Sequence, residues 1–183
     1  MKYTRDIIIK MFNSKKRMKY IFFWGHRPSA DGSITKSCFS QWFACHFTVD
    51  GVKYSTAEQY MMAQKALLFG DNKIYNEIMK AFHPKQFKAL GRMISGFDEK
   101  IWNENKTDIV IKGNLAKFSQ NQELKYFLLN TNERVLVEAS PYDSIWGIGM
   151  SSDDLSCENP TLWKGENLLG FCLMEVRDII KQG

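Results

Sequence analysis

The stretch Ser55 to Phe69 constrains the fold of this chain more than any other. Ala57, Tyr60, Met61, Gln64, Leu67 and Leu68 recur at helical spacing and form one mostly apolar face. Glu58, Met62, Lys65 and Phe69 form a neighbouring face that is also largely apolar. A helix greasy over most of its circumference needs neighbours on several sides, so the chain has to build other elements around it. Ser55-Thr-Ala-Glu58 reads as a capping box that opens this helix, and Gly70 stops it.

The rest of the pattern supplies those neighbours. Tyr20-Ile-Phe-Phe-Trp24 reads as a buried strand, and Arg27 to Lys36 as a polar loop. Phe43 to Val49 is strand-like and meets Asp50-Gly51, a two-residue hairpin signal, before Val52-Lys-Tyr54 returns. Helices are expected over Asn72 to Ala81, after Pro84, and after Asp98, with Gly113 separating this last one from a fifth helix over Asn114 to Leu129. Arg134 to Ala139 reads as a strand, and a final helix runs from Gly165 or Asn167 to Ile180. Strands and helices do not alternate as βαβ units would. The expected class is α+β: one helix-rich domain with a small sheet.

Composition excludes several functions. With 183 residues and 44% hydrophobic side chains there is enough apolar surface for one core, and no run of about eighteen apolar residues to span a membrane. The net charge of +5 is misleading, because residues 1–19 carry seven cations against Asp6, or +6, and leave −1 for the remaining 164. The basic character belongs to an N-terminal extension, expected as a solvated tail before a domain over 20–183. Cys38, Cys45, Cys157 and Cys172 show no CxxC pairing, and the chain opens on no secretory signal, which suggests reduced thiols in the cytoplasm. His26, His46 and His83 lack metal-ligand spacing, so neither metal nor cofactor is expected.

Three constellations could carry chemistry. Glu58 and Lys65 lie seven residues apart on a buried helix, roughly 10 Å along its axis, where charges are costly. A carboxylate on the first turn is held ionised by the helix dipole, which suits a base or nucleophile; its plainer role is the capping box. Lys65 has the plainer role of a snorkelling side chain. Asp143 sits among Tyr142, Ile145 and Trp146, an apolar setting that suits a proton donor, against the plainer role of a turn-capping aspartate. Asn114, Lys117 and Asn121 form a polar stripe of the kind that is usually solvated. Gly165 to Gly170 has the glycines of a phosphate loop, but Phe171-Cys172 replaces its Lys-Ser/Thr, which argues against nucleoside triphosphate hydrolysis.

Taken in order, Phe22-Phe-Trp24, Phe39-Ser-Gln-Trp42, Thr56-Ala-Glu-Gln-Tyr60, Ala63-Gln-Lys65-Ala, Phe69-Gly-Asp71, Gly113-Asn-Leu-Ala-Lys117-Phe, Leu136-Val-Glu138-Ala, Asp143-Ser-Ile-Trp146-Gly and Gly165-Glu-Asn167-Leu-Leu-Gly170 resemble the YbiA-like, or NADAR, superfamily over residues 20 to 181. The segment Gly25 to Lys36 departs from the family's pattern. The resemblance implies a YbiA-like fold and N-glycosidase chemistry, on phosphoribosylamino-pyrimidine intermediates of riboflavin synthesis or on ADP-ribosylated guanine. The partners it implies are a small nucleotide or ADP-ribosylated nucleobase, or ADP-ribosylated nucleic acid, and no membrane. The family's acid, lysine and aspartate fall on Glu58, Lys65 and Asp143, with Lys117 as the alternative lysine. Trp102 and Trp146 are the expected stacking residues, and Arg92 or Lys117 the phosphate ligand. Asn114, Gly147 and Asn167 complete the expected substrate contacts. Two rivals stand beside this reading: a module that binds ADP-ribose or a nucleotide without cleaving it, and a nucleic-acid-binding or structural domain using the basic N-terminal arm.

Overall fold

A computed structural model describes residues 1–14 and 17–183; Lys15 and Lys16 of the basic extension lie outside the described residues. The chain divides into two compact units, one made of Gln41–Asn121 and the other of Met1–Ser40 with Gln122–Gly183.

The Gln41–Asn121 unit is built around the helix that the sequence singles out. Strands β2 (Phe47–Val49) and β3 (Val52–Tyr54) form an antiparallel hairpin. Its two turn residues, Asp50 and Gly51, both have positive φ (51° and 79°), as a tight twisted turn requires. Strand β2 is shorter than expected and begins at Phe47; the carbonyl of His46 just before it accepts from Asn121 Nδ2 at 3.1 Å. Helix α2 (Ala57–Leu68) follows, and α3 (Asn72–Lys80), α4 (Pro84–Gly91) and α5 (Glu99–Gln120) all pack against it. Burial agrees with the pattern: the first seven residues of α2 and Ala66 are all buried.

Two local expectations are corrected. The cap of α2 is Thr56, whose hydroxyl accepts from Gln59 N at 3.0 Å, and Gln59 reaches back to Ser55 N at 2.8 Å. The cap is one residue later than the Ser55–Glu58 reading, and the side chain that reaches back is that of Gln59, not Glu58. Gly113 does not break its helix; α5 runs through it to Gln120. A Cβ there would lie 2.4 Å from Cδ1 of Tyr60, so this glycine is where α5 and α2 touch.

In the second unit β1 (Tyr20–Phe23) and β4 (Val135–Glu138) pair in parallel, in register from Tyr20↔Val135 to Phe23↔Glu138. Only Phe23 of β1 is buried; Trp24, expected inside the strand, lies beyond its end and is 57% exposed. Helix α7 (Leu168–Gln182) covers β4, and α6 (Gln122–Leu129) packs on α7. Residues 1–14 of the N-terminal segment are no solvated tail. Helix α1 (Arg5–Asn13) is capped by Thr4, buries Ile8 completely, and anchors Arg5 to the carbonyls of Pro160 and Trp163. Tyr3 OH also donates to Asp178 Oδ2 at 2.8 Å. An amphipathic helix with an apolar seat available docks instead of dissolving. Among the described residues no helix is long and apolar enough to cross a membrane. All four cysteines are free thiols.

Candidate active site

Six of the ten expected site residues lie in the Gln41–Asn121 unit, where they form two neighbourhoods along α2. The first surrounds Glu58, 5% exposed on the opening turn. Its backbone N–H donates to the Gln41 carbonyl at 2.9 Å. The Gln41 side chain accepts from Asn114 Nδ2 at 2.8 Å, so one glutamine ties the turn carrying Glu58 to the middle of α5. Asn114 and Lys117, one turn apart on α5, are fully buried, which corrects the solvated-stripe reading. The Lys117 ammonium lies 5.7 Å from the Phe43 ring centroid and 5.2 Å from that of Phe118. Asn114 Oδ1 has no hydrogen-bond partner among the described residues. Four buried polar side chains, two of them of charged type, are far more than packing needs. Gln41 is a site residue that no expectation from sequence included. Its position in Phe39-Ser-Gln-Trp42 was the only signal available.

The second neighbourhood surrounds Lys65, two turns along. Its Nζ donates to the carbonyl of Gly91 at 3.0 Å, and lies 4.2 Å from the Phe97 ring centroid and 5.5 Å from that of Trp102. Phe97 is itself held edge-on by Phe69. Burial pushes the Lys65 ammonium below its ordinary value. Rings and one carbonyl replace water poorly, so the neutral amine gains. Arg92, the residue after Gly91, is exposed at the end of α4. The only lysine in the second neighbourhood is thus partly open, whereas Lys117 is enclosed.

The remaining four residues lie in the other unit, on and around the loop after β4. Asp143 Oδ1 accepts from Ile145 N at 2.9 Å and Trp146 N at 2.8 Å. The expected apolar lining is absent, since Tyr142 is 88% and Ile145 50% exposed. Asp143 therefore closes a turn, and the premise for its role as proton donor is not met. Gly147 is a packing glycine: a Cβ would sit 2.8 Å from the Glu138 carbonyl, and its own carbonyl receives Asn167 N at 3.0 Å. Asn167 is fully buried and commits both ends of its amide to β4, accepting from Glu138 N and donating to Leu136 O, each at 2.9 Å. That pairing leaves it bracing the strand rather than facing a ligand. Trp146 is half-buried.

The sequence pattern of the NADAR domain matches residues 22–181. The chain belongs to the NADAR family. N-glycosidase R617 of Acanthamoeba polyphaga mimivirus is 44% identical over 165 residues, 87% of this chain and 95% of that protein. N-glycosidase YbiA of Escherichia coli (strain K12) is 36% identical over 140 residues, 76% of this chain and 79% of that one. The NMR structure of Escherichia coli YbiA superposes with a TM-score of 0.72 at 31% identity, covering 91% of this chain and 87% of the other. This NADAR protein is an enzyme, an N-glycosyl hydrolase. The shallow groove between α3 and α4, lined by Glu77, Gln86 and Leu90, contains none of the candidate residues.

Proposed function

We propose that this enzyme hydrolyses the bond between a ribose C1 and the nitrogen of a heterocycle in a nucleotide-derived substrate, with Lys65 as nucleophile and Glu58 as the charged group that handles the proton. The observation that carries this reading is the Lys65 amine, half-withdrawn from water beneath Phe97 and Trp102 and lowered in basicity by that burial. A neutral amine attacks carbon, and desolvation is the usual way to obtain one.

The chemistry balances as follows. Lys65 Nζ bonds to C1 while the C1–N bond breaks, and the proton lost by Nζ reaches the departing nitrogen through Glu58. In the glycosyl-lysine the C1–O4′ bond then breaks, O4′ takes the second Nζ proton, and a Schiff base remains. Water adds to C1, the sugar leaves, and the amine is restored. Glu58 also stabilises positive charge on C1 in the first step. Arg92 suits a substrate phosphate and Trp102 a stacked ring. Asp143 has a shaping role, holding the loop that carries Trp146.

Phosphoribosylamino-pyrimidine intermediates and ADP-ribosylated guanine share the required ribose–nitrogen bond. Incubating the enzyme with each separates them: ribose 5-phosphate is released from the first, ADP-ribose from the second. Release of neither sugar overturns the substrate class.

A further inference from the structure

Phe97, the ring 4.2 Å from the Lys65 amine, is carried by the chain between α4 and α5 and not by a helix or strand. It is 46% exposed, so burial alone does not hold it there. What fixes it is a side chain from just past the end of α2. Asp71 N donates to the Ala66 carbonyl at 2.9 Å, which ties it back to that helix. Its Oδ1 accepts from Ile74 N at 3.0 Å and caps α3. Its Oδ2 accepts from Ser95 N at 2.9 Å and from Ser95 Oγ at 2.8 Å. A cap is the plain role of an aspartate at this place, and one oxygen fills it. The other oxygen is spent on a residue 24 positions away, and the cap does not explain it.

The clamp sets where the ring stands. Ser95 is two residues before Phe97, and Asp98, directly after it, caps α5 by accepting from Ile101 N at 2.9 Å. The backbone on both sides of the ring is therefore tied down. Ile94, just before Ser95, is buried, and Phe69 meets Phe97 edge-on at 5.3 Å between centroids. Released at Ser95, a short loop regains conformational freedom, and a half-exposed ring has little to oppose that. The consequence falls on Lys65. Its amine meets the Gly91 carbonyl, Phe97 and, more distantly, Trp102, none of them charged, and burial lowers its basicity. With the ring gone, water returns and the ordinary basicity with it. A ring that acted mainly by attracting the ammonium would do the opposite, because that attraction favours the charged form.

We propose that Asp71 is a positioning residue for Lys65: by clamping Ser95 it holds Phe97 against the amine and keeps water from it. The proposal rests on the reading of Lys65 as the nucleophile. The clamp is constant while the amine titrates. The Ile74 N–H, and after it the Ser95 donors, hold the Asp71 carboxyl below its ordinary value, so it is ionised wherever a lysine changes charge.

The test is competitive labelling of the full chain with acetic anhydride across pH, with the acetylated fraction of Lys65 read by mass spectrometry. The midpoint of that profile reports the amine's basicity and not its accessibility. Asp71→Asn is the separating variant: Asn caps a helix as well as Asp does, but its amide nitrogen cannot accept from Ser95 N. Its midpoint should rise from the parent's towards 10.5, the ordinary lysine value, as should that of Phe97→Ala, while Phe97→Tyr stays with the parent. Asp71→Asn combined with Phe97→Ala should rise no further than Phe97→Ala alone, since both act through one ring. Shifts that add, an Asp71→Asn midpoint equal to the parent's, or a Phe97→Ala midpoint that falls or stays overturn the proposal. Melting temperatures identify a variant that does not fold. If Asp71→Asn is one, Ser95→Ala, which removes only the hydroxyl bond, decides by the same criteria with a smaller rise. No substrate is used, so failure here is distinct from a Lys65 that forms no adduct during turnover.

Discussion

Glu58 and Asp143 are both acids near the start of a turn, and both have a plain structural role available from sequence. The structure separates them. At Glu58 that role is filled by a neighbour: Thr56 caps α2 and Gln59 reaches back, while Glu58 stays 5% exposed beside Gln41. At Asp143 the plain role is the one realised, with one carboxylate oxygen accepting two backbone N–H groups in a loop whose flanking side chains are in water. A buried carboxylate is costly, and at Glu58 the cap bonds belong to its neighbours; Asp143 is half-exposed and makes its bonds locally. The comparison supports the proposal of α2 as the catalytic element, with the loop in a supporting part.

The sharpest way to break this is at Lys65. Borohydride added during turnover should fix the sugar to the protein, and Lys65→Met, which keeps the apolar stem, should remove the adduct completely. Because burial lowers this amine's basicity, its neutral fraction grows as pH rises and passes one half below the ordinary lysine value of 10.5. Adduct yield should follow that rise. Trapping at Lys117 would move the nucleophile to α5, and an active enzyme with no adduct would favour direct attack by water.

Next in size is Glu58→Gln. Gln matches Glu in shape and keeps an accepting oxygen, so the fold should hold while turnover falls about a hundredfold. A Gln variant with normal turnover would return Glu58 to a structural role. Gly113→Ala probes the support beneath. Its new methyl meets the Tyr60 ring at 2.4 Å, so α5 and α2 must part, at a cost of about 1–3 kcal/mol read as a lower melting temperature. An unchanged melting temperature would show that the contact is loose enough not to hold α2 in place.

What could be read from sequence follows the range of the interactions involved. Helix α2, its burial and its two charges were legible because periodicity within a dozen residues determines them. The capping register was not, since Ser55-x-x-Glu58 and Thr56-x-x-Gln59 both fit; Gln59 also donates to the Ile78 carbonyl at 3.2 Å, a contact no local pattern encodes. Gly113 looked like a breaker because the ring it accommodates is more than fifty residues away. Helix α1 looked like a tail because the Pro160 and Trp163 carbonyls that seat Arg5 lie at the other end of the chain. The apolar setting expected of Asp143 rests on its neighbours in sequence, but of these Tyr142 and Ile145 are exposed and only Trp146 is half-buried.

The smallest expected effect is the one that tests the comparison most directly. Asp143→Asn keeps an oxygen where Oδ1 accepts from Ile145 and Trp146, so the loop should close as before. If Asp143 only shapes the loop, turnover should stay within about threefold of the parent, the range of substitutions away from buried or reacting groups. Asp143→Ala removes the acceptor, leaves two N–H groups without their partner, and should lower the melting temperature by an amount worth about 1 kcal/mol. Two substrates with leaving nitrogens of different basicity complete the test. A proton donor matters most when the departing group is poor, so a general acid replaced by Asn slows the poor substrate far more than the good one. Equal rates on both, with a melting temperature that drops only for Ala, leave Asp143 as a loop residue. A selective loss on the poor leaving group would put the proton on Asp143 and require the division between α2 and the loop to be redrawn.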